Sequence, residues 1–273
     1  MSPAPAGRLV VCPTPIGNLE DITARTVSAL RDADVIACED TRTTAVLCER
    51  HGIETPRVRC DEHGERRAAP KLVARIAAGE TVALVSDAGT PVVSDPGFVL
   101  VRAVLEAGLP VEVLPGPSAV TTALVLSGLP ADRWRFAGFL PRRRAELERE
   151  FSAPETLVAF ESPRRLPATL AVLAAVDPGR PVAVCREISK LHEEAVRGSA
   201  AELAGRYEGR PPKGEVVLVV GPAPQADADL QAAAEAVREL VAAGARPRAA
   251  ASAVARLVGL PANALYRAAV TED

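Results

Sequence analysis

Four stretches place small and acidic residues where a ligand could meet backbone: CPTPIGN (12–18), CEDTRTT (38–44), SDAGTPVVSDPG (86–97) and LPGPSAV (114–120). In the third, Asp87 and Asp95 sit beside Gly89 and Gly97, where backbone approaches a ligand closely because no Cβ intervenes. Proline lies in the first, third and fourth of these segments and stiffens them. Such loops suit a polar ligand that needs close backbone contact more than long side chains. They are not a dinucleotide fingerprint or a phosphate loop, because neither G-x-G-x-x-G nor GK[ST] follows the first strand. Nor does any Ser, His and Asp order suggest a hydrolytic triad.

Each stretch follows a short apolar run. RLVVC (8–12), DVIAC (34–38), TVALVS (81–86) and VEVL (111–114) read as strands separated by helical segments, the rhythm of βαβ units. Open parallel sheets place ligands at the C-terminal ends of their strands, where all four loops fall. Ala24, Val27 and Leu30 mark one face of the first helix, with Asp21 or Thr23 as its cap. A second βα series follows with strands at RFAGF, TLVAF, PVAVC and EVVLVV, and PRRRAELERE (141–150) reads as an exposed helix start. GPAPQADADL (221–230) is a linker by composition, and Leu230 to Val270 is helical. The expected fold is therefore α/β, with lobes at 1–127 and 128–222 and a helical tail at 229–273.

A chain of 273 residues is long enough for these lobes to bury sizeable cores. Its net charge of −3 gives no bulk attraction to polyanions, so a nucleic acid would have to meet a local patch. Five scattered cysteines without C-x-x-C spacing indicate neither a disulfide framework nor a metal site, and reduced cytoplasmic thiols are expected. No leader or membrane-spanning run is evident, which points to a cytoplasmic protein with no membrane partner.

PTPIGNLEDIT, ACEDTRTT, LVSDAGTPVVSDPG, VLPGPSAVTTAL, SGLPADRWRFAGFLP, ESPRRL and PKGEVVLVV, in this order, resemble the ribosomal RNA small subunit methyltransferase I family. That family is a branch of the tetrapyrrole-methylase-like enzymes, and the resemblance runs from Leu9 to Val270. It implies two lobes of the tetrapyrrole methylase type, with S-adenosylmethionine in the cleft between them, and a small C-terminal helical domain. It also implies methyl transfer to the ribose 2′-hydroxyl of a decoding-centre cytidine in 16S RNA, presented free or in the small subunit, and a homodimer. Carried over by motif, Pro15, Asp87, Gly89, Ser118, Ala119 and Glu161 border the cofactor. The sequence departs from the family pattern at RCDEHGE (59–65), which keeps His63 but lacks the usual aromatic and Asn.

Methyl transfer is an in-line displacement, so positioning supplies much of the catalysis. A ribose hydroxyl is nevertheless a poor acid and gains from a base or cation nearby. Asp40, Glu39, Arg42, His63, and Lys213 with Glu215 are the candidates. Asp40 is favoured as proton acceptor and Arg42 as phosphate contact; each has a plainer alternative, Glu39 or Asp40 as a helix cap and Lys213 with Glu215 as a salt bridge. Arg142, Arg143, Arg144, Arg164 and Arg165 are candidate RNA contacts or a solvated face. In the tail, Gly259-Leu260-Pro261 reads as the turn of a helix-turn-helix, or of a compact structural unit. Two other readings stay open: a tetrapyrrole methyltransferase, disfavoured because TPIGN and SDAG stand where such enzymes show GPGD and GGDP, and a nonenzymatic nucleic-acid-binding module. If the 86–97 loop meets the cofactor, Gly89→Val should abolish binding in calorimetry while leaving the protein folded.

Overall fold

The computed structural model describes residues 7–223 and 230–270. Its first sheet is wholly parallel, in the order β3-β2-β4-β1-β5. It consists of β1 (Arg8–Val11), β2 (Val35–Cys38), β3 (Arg57–Arg59), β4 (Thr81–Val85) and β5 (Val111–Val113). The three central strands, RLVV, VIAC and TVALV, are almost continuously apolar because helices cover both faces. Leu9, Val11, Ala37 and Leu84 face one core cluster, and Val10, Cys12, Ile36 and Ala83 face the other. Strand β3 escapes the hydrophobic pattern because it is a three-residue edge strand with Arg57 and Arg59 exposed.

Helix α1 (Ala24–Asp32) is capped by Thr23, which accepts from the Thr26 N–H at 3.1 Å. Its inward face differs from the expected one. Ala24 is exposed, whereas Thr26 is buried beside Leu30, its hydroxyl bonded to that of Thr23 at 2.9 Å. Helices α2 (Thr41–Arg50), α3 (Glu65–Ala77) and α4 (Phe98–Glu106) follow β2, β3 and β4.

The second sheet corrects the expectation of a βα series. Its strands are β6 (Trp134–Phe139), β7 (Thr156–Glu161), β8 (Pro181–Arg186), β9 (Glu194–Ser199) and β10 (Val216–Val220), in the order β6-β7-β10-β8-β9. Only β6 and β7 pair in parallel; β10 runs antiparallel to β7 and β8, and β8 to β9. Strand β9, EAVRGS, lacks an apolar run and so left no hydrophobic signal. The sheet is flanked by α6 (Arg144–Phe151), α7 (Leu166–Val176) and α8 (Ala200–Tyr207).

Helix α5 (Ala119–Ser127) corrects the lobe boundary placed at 127. Val120, Ala123 and Leu124 pack on Val158, Ala183, Val217 and Val219 of the second sheet, so the chain changes lobes before α5.

A separate unit contains α9 (Leu230–Ala242), α10 (Pro247–Val258) and α11 (Ala262–Val270). Ala234, Val237, Ala251, Val254 and Leu265 form its own core. Gly259 ends α10 at φ 72°, and Leu260-Pro261 leads into α11, so the expected turn lies where the sequence puts it. Most of the expected linker, 224–229, lies outside the described residues. No helix among the described residues is long and apolar enough to cross a membrane.

One buried carboxylate joins α3 to α4. The α4 cap, Gly97, offers no side-chain bond, and Glu65 of α3 instead accepts from the Leu100 N–H at 2.9 Å. Glu65→Ala strands that buried donor and should reduce unfolding free energy in urea by about 1–3 kcal/mol.

Candidate active site

The strand-end loops of the first sheet are tied to one another by backbone. The Thr14 N–H donates to the Gly89 carbonyl at 2.8 Å, and the Gly89 N–H returns to the Thr14 carbonyl at 3.1 Å. The Thr14 hydroxyl adds a bond to the Ser86 carbonyl at 3.0 Å. Thr90 then donates to the Pro117 carbonyl at 3.3 Å, bringing in the loop after β5. Gly116 is required there, since a Cβ would lie 2.6 Å from that of Pro13.

These loops and the second sheet enclose a cleft of about 350 Å³. Ile16, Gly89 and Asp95 line it from the first lobe, and Phe139, Phe160 and Glu161 from the second, with Ser118 and Ala119 at the start of α5. Ser118 is the α5 N-cap but makes no side-chain cap bond, so its hydroxyl is not committed to the helix. Phe139 and Phe160 meet edge to face at 5.5 Å. Among the described residues, non-glycine positive φ occurs at Val92, Ser94, Glu187 and Ser189, in two loops that contribute Val93, Asp95 and Ile188 to the cleft wall. Strain concentrated in this way marks positions that the surrounding structure over-determines.

Electrostatics divides the carboxylates into two groups. Burial pushes Asp95 up to about 6, with Glu39 and Asp87 adding repulsion against a stabilising Ser86 hydrogen bond. Glu39 is also raised, by burial and then by Asp87. Asp40 goes the opposite way: the Arg42 side chain, 2.6 Å away, holds it well below the usual carboxylate range. It caps α2 through the Arg42 N–H at 2.8 Å, and its own N–H donates to Asp87 at 3.1 Å.

Gly89, Ser118, Ala119 and Glu161 therefore line the cleft, as Pro15 and Asp87 do not. Pro15 is buried, and Asp87 ties the loop after β4 to that after β2. The Glu161 carboxylate is wholly enclosed, accepting from the Ser162 N–H at 2.7 Å and the Thr169 hydroxyl at 2.6 Å. Asp40 and Arg42 are outside the cleft lining, and His63 lies in a separate groove along α3. The Lys213–Glu215 pair is corrected: Lys213 is exposed, and Glu215 pairs with Lys190 at 2.8 Å. Lys190 also reaches Glu187 at 2.9 Å; burial works against its charge, yet bonds to Glu215 and Glu187 keep its pKa above the usual lysine value.

Lys190, Phe139 and Phe160 were not singled out by sequence; Asp95 was, as the second Ser-Asp of the 86–97 loop, but without a role of its own. The five cysteines are buried and unbridged, and burial pushes Cys12 and Cys60 up to about 12, which suppresses thiolate chemistry.

Residues 8–204 match the family model of tetrapyrrole (corrin/porphyrin) methylases. The chain is 45% identical over 265 residues to the ribosomal RNA small subunit methyltransferase I of Mesorhizobium japonicum, covering 95% of this chain and 90% of the relative. This chain belongs to that methyltransferase family. The Mycobacterium bovis relative of the same name is 46% identical over 257 residues, 92% of this chain and 90% of its own. In fold, the chain is similar to uroporphyrin-III C-methyltransferase from Thermus thermophilus, solved with S-adenosylhomocysteine. The TM-score is 0.57 at 22% identity, over 79% of this chain and 97% of that one. Fold likeness at this distance extends to the two lobes and not to the substrate.

The expectation that Gly89→Val leaves the fold intact needs correction. Gly89 has φ 82°, and a Cβ there would touch Ile16 at 3.4 Å. A β-branched residue strains the loop and its bridge to Thr14, so Gly89→Val should lower stability by about 2 kcal/mol in urea denaturation.

Proposed function

We propose that this protein transfers the methyl group of S-adenosylmethionine to the ribose 2′-hydroxyl of a decoding-centre cytidine in 16S RNA, in the small ribosomal subunit. Support comes from the relatives' shared name over nearly the whole chain, and the observation that carries the chemistry is Asp95, a carboxyl with pKa about 6 in the wall of a cleft of cofactor size. S-adenosylmethionine supplies an electrophilic methyl on a sulfonium. The free N–H groups at the start of α5 suit its carboxylate, and Gly89 admits backbone close to it. Phe139 and Phe160 offer an aromatic wall for the purine. With S-adenosylmethionine bound, its methyl would be the electrophile for the ribose oxygen, and Asp95 in the cleft wall would take the hydroxyl proton. Asp40, already bound to Arg42, positions the loop after β2, and Lys190 fixes Glu215 at the cleft rim. His63 and Lys213 are left for contacts outside the cleft.

The homodimer belongs to the same proposal, since Val125 and Leu191 leave apolar surface exposed. Light scattering at micromolar concentration should give twice the chain mass. The helical tail is assigned to subunit binding: removing residues 226–273 should preserve S-adenosylmethionine affinity and weaken binding to small subunits.

The deciding experiment supplies labelled S-adenosylmethionine with small subunits lacking the modification. Label should appear at a cytidine 2′-oxygen and not on uroporphyrinogen; label on uroporphyrinogen alone would overturn the reading. Asp95→Asn should reduce single-turnover methylation by about 100-fold or more with little change in cofactor affinity. The wild-type rate should rise with pH through about 6 as Asp95 loses its proton, and then level off. Because the folded pKa lies above the unfolded value, ionisation of Asp95 lowers stability as pH rises from about 4 to about 6. Asp95→Asn removes that penalty and should be more stable at pH 7.5 by about 1 kcal/mol, once solvent screening of this partly exposed group is allowed for.

A further inference from the structure

A second groove, of about 650 Å³, runs along α3 beside the edge strand β3. The buried side of α3 carries Ala69, Leu72 and Ile76. Its opposite side brings Arg67, Lys71 and Arg75 into the groove at intervals of four residues, so the cations repeat about every 6 Å along the helix. Arg59 and His63 flank them at the end nearer the strand-end loops.

The partners of these cations differ. Arg59 is held by Asp61 at 2.6 Å and Arg75 by Glu80 at 2.5 Å, which fixes the walls at either end. Arg67 and Lys71 are exposed and have no acidic partner among the described residues. On a chain of net charge −3, two adjacent uncommitted cations in a groove form a local positive feature that the bulk charge conceals. Strand β3 joins the groove to the cleft side of the sheet: the Cys60 N–H donates to the Cys38 carbonyl at 2.7 Å, one residue before Glu39.

We propose that this groove holds the phosphodiester backbone of the RNA strand leading to the acceptor nucleotide, with successive phosphates on Arg67 and Lys71. The inference rests on the reading that the substrate is RNA. Regularly spaced cations along one helix face match a polyanion with regularly spaced charges, and the shallow apolar floor of Ala68 and Leu72 leaves the strand's bases unread. Binding here is independent of sequence and strongly dependent on salt.

The test compares wild type with Arg67→Ala/Lys71→Ala, using small subunits that lack the modification, between 50 and 200 mM salt, roughly the range over which phosphate contacts are resolved. The expected result is about 10- to 30-fold weaker subunit binding at about 0.1 M salt and a log–log salt slope shallower by about 1.4, with S-adenosylmethionine affinity unchanged. Lys71→Arg, which keeps the charge, should bind as wild type does. If wild type methylates the subunits and the double variant matches it in affinity and slope, the groove assignment is overturned. Wild type that neither binds nor methylates RNA overturns the substrate reading and this assignment with it. A double variant that only loses mass in sedimentation makes the face a contact between copies of the chain, which also overturns the proposal.

Discussion

The paired hydrogen bonds between Thr14 and Gly89 are the constraint on which the site rests. Parallel strands end without hairpins, so the loops that leave them have no inherent reason to stay together. Here two main-chain bonds join the loop after β1 to the loop after β4, and Thr90 extends the connection to the loop after β5. Asp87 completes the set by accepting from Asp40 in the loop after β2. Four segments far apart in sequence thereby become one wall beyond the C-terminal ends of the strands, where Gly89 permits a backbone conformation that other residues resist.

This wall concentrates negative charge. Burial, with Glu39 and Asp87 nearby, raises the proton affinity of Asp95, and burial with Asp87 nearby raises that of Glu39, while Arg42 holds Asp40 low. Such surroundings suit a carboxyl that takes a proton near neutral pH. The same arrangement costs the folded state some stability, which agrees with the strained backbone in the segment that carries Asp95.

The first lobe was legible because its central strands are buried on both faces and read as apolar runs, and because turn or cap residues follow each run: Pro13 and Pro15, Asp40, and Asp87 with Gly89. The second lobe was less so. Hydrophobic pattern reports burial and not strand direction, so a mixed sheet with a polar edge strand such as β9 looks like a partial βα series. The lobe boundary was misplaced for a related reason, since α5 is apolar on most sides and nothing in its sequence says which sheet it covers. Within the site, glycine and helix-start positions were readable from local backbone demands. The raised pKa of Asp95 and the pairing of Lys190 were not, because they depend on burial and on neighbours distant in the chain, Glu39 beside Asp95 and Glu215 beside Lys190.

The course of α5 has a mechanical consequence. Its first residues emerge from the loops of the parallel sheet, and its body is packed into the mixed one. A small molecule resting against Ser118 and Phe160 would touch both sheets at once and act as a staple across them. Part of its binding free energy would then appear as cohesion between the lobes, and resistance to unfolding would become a function of ligand concentration.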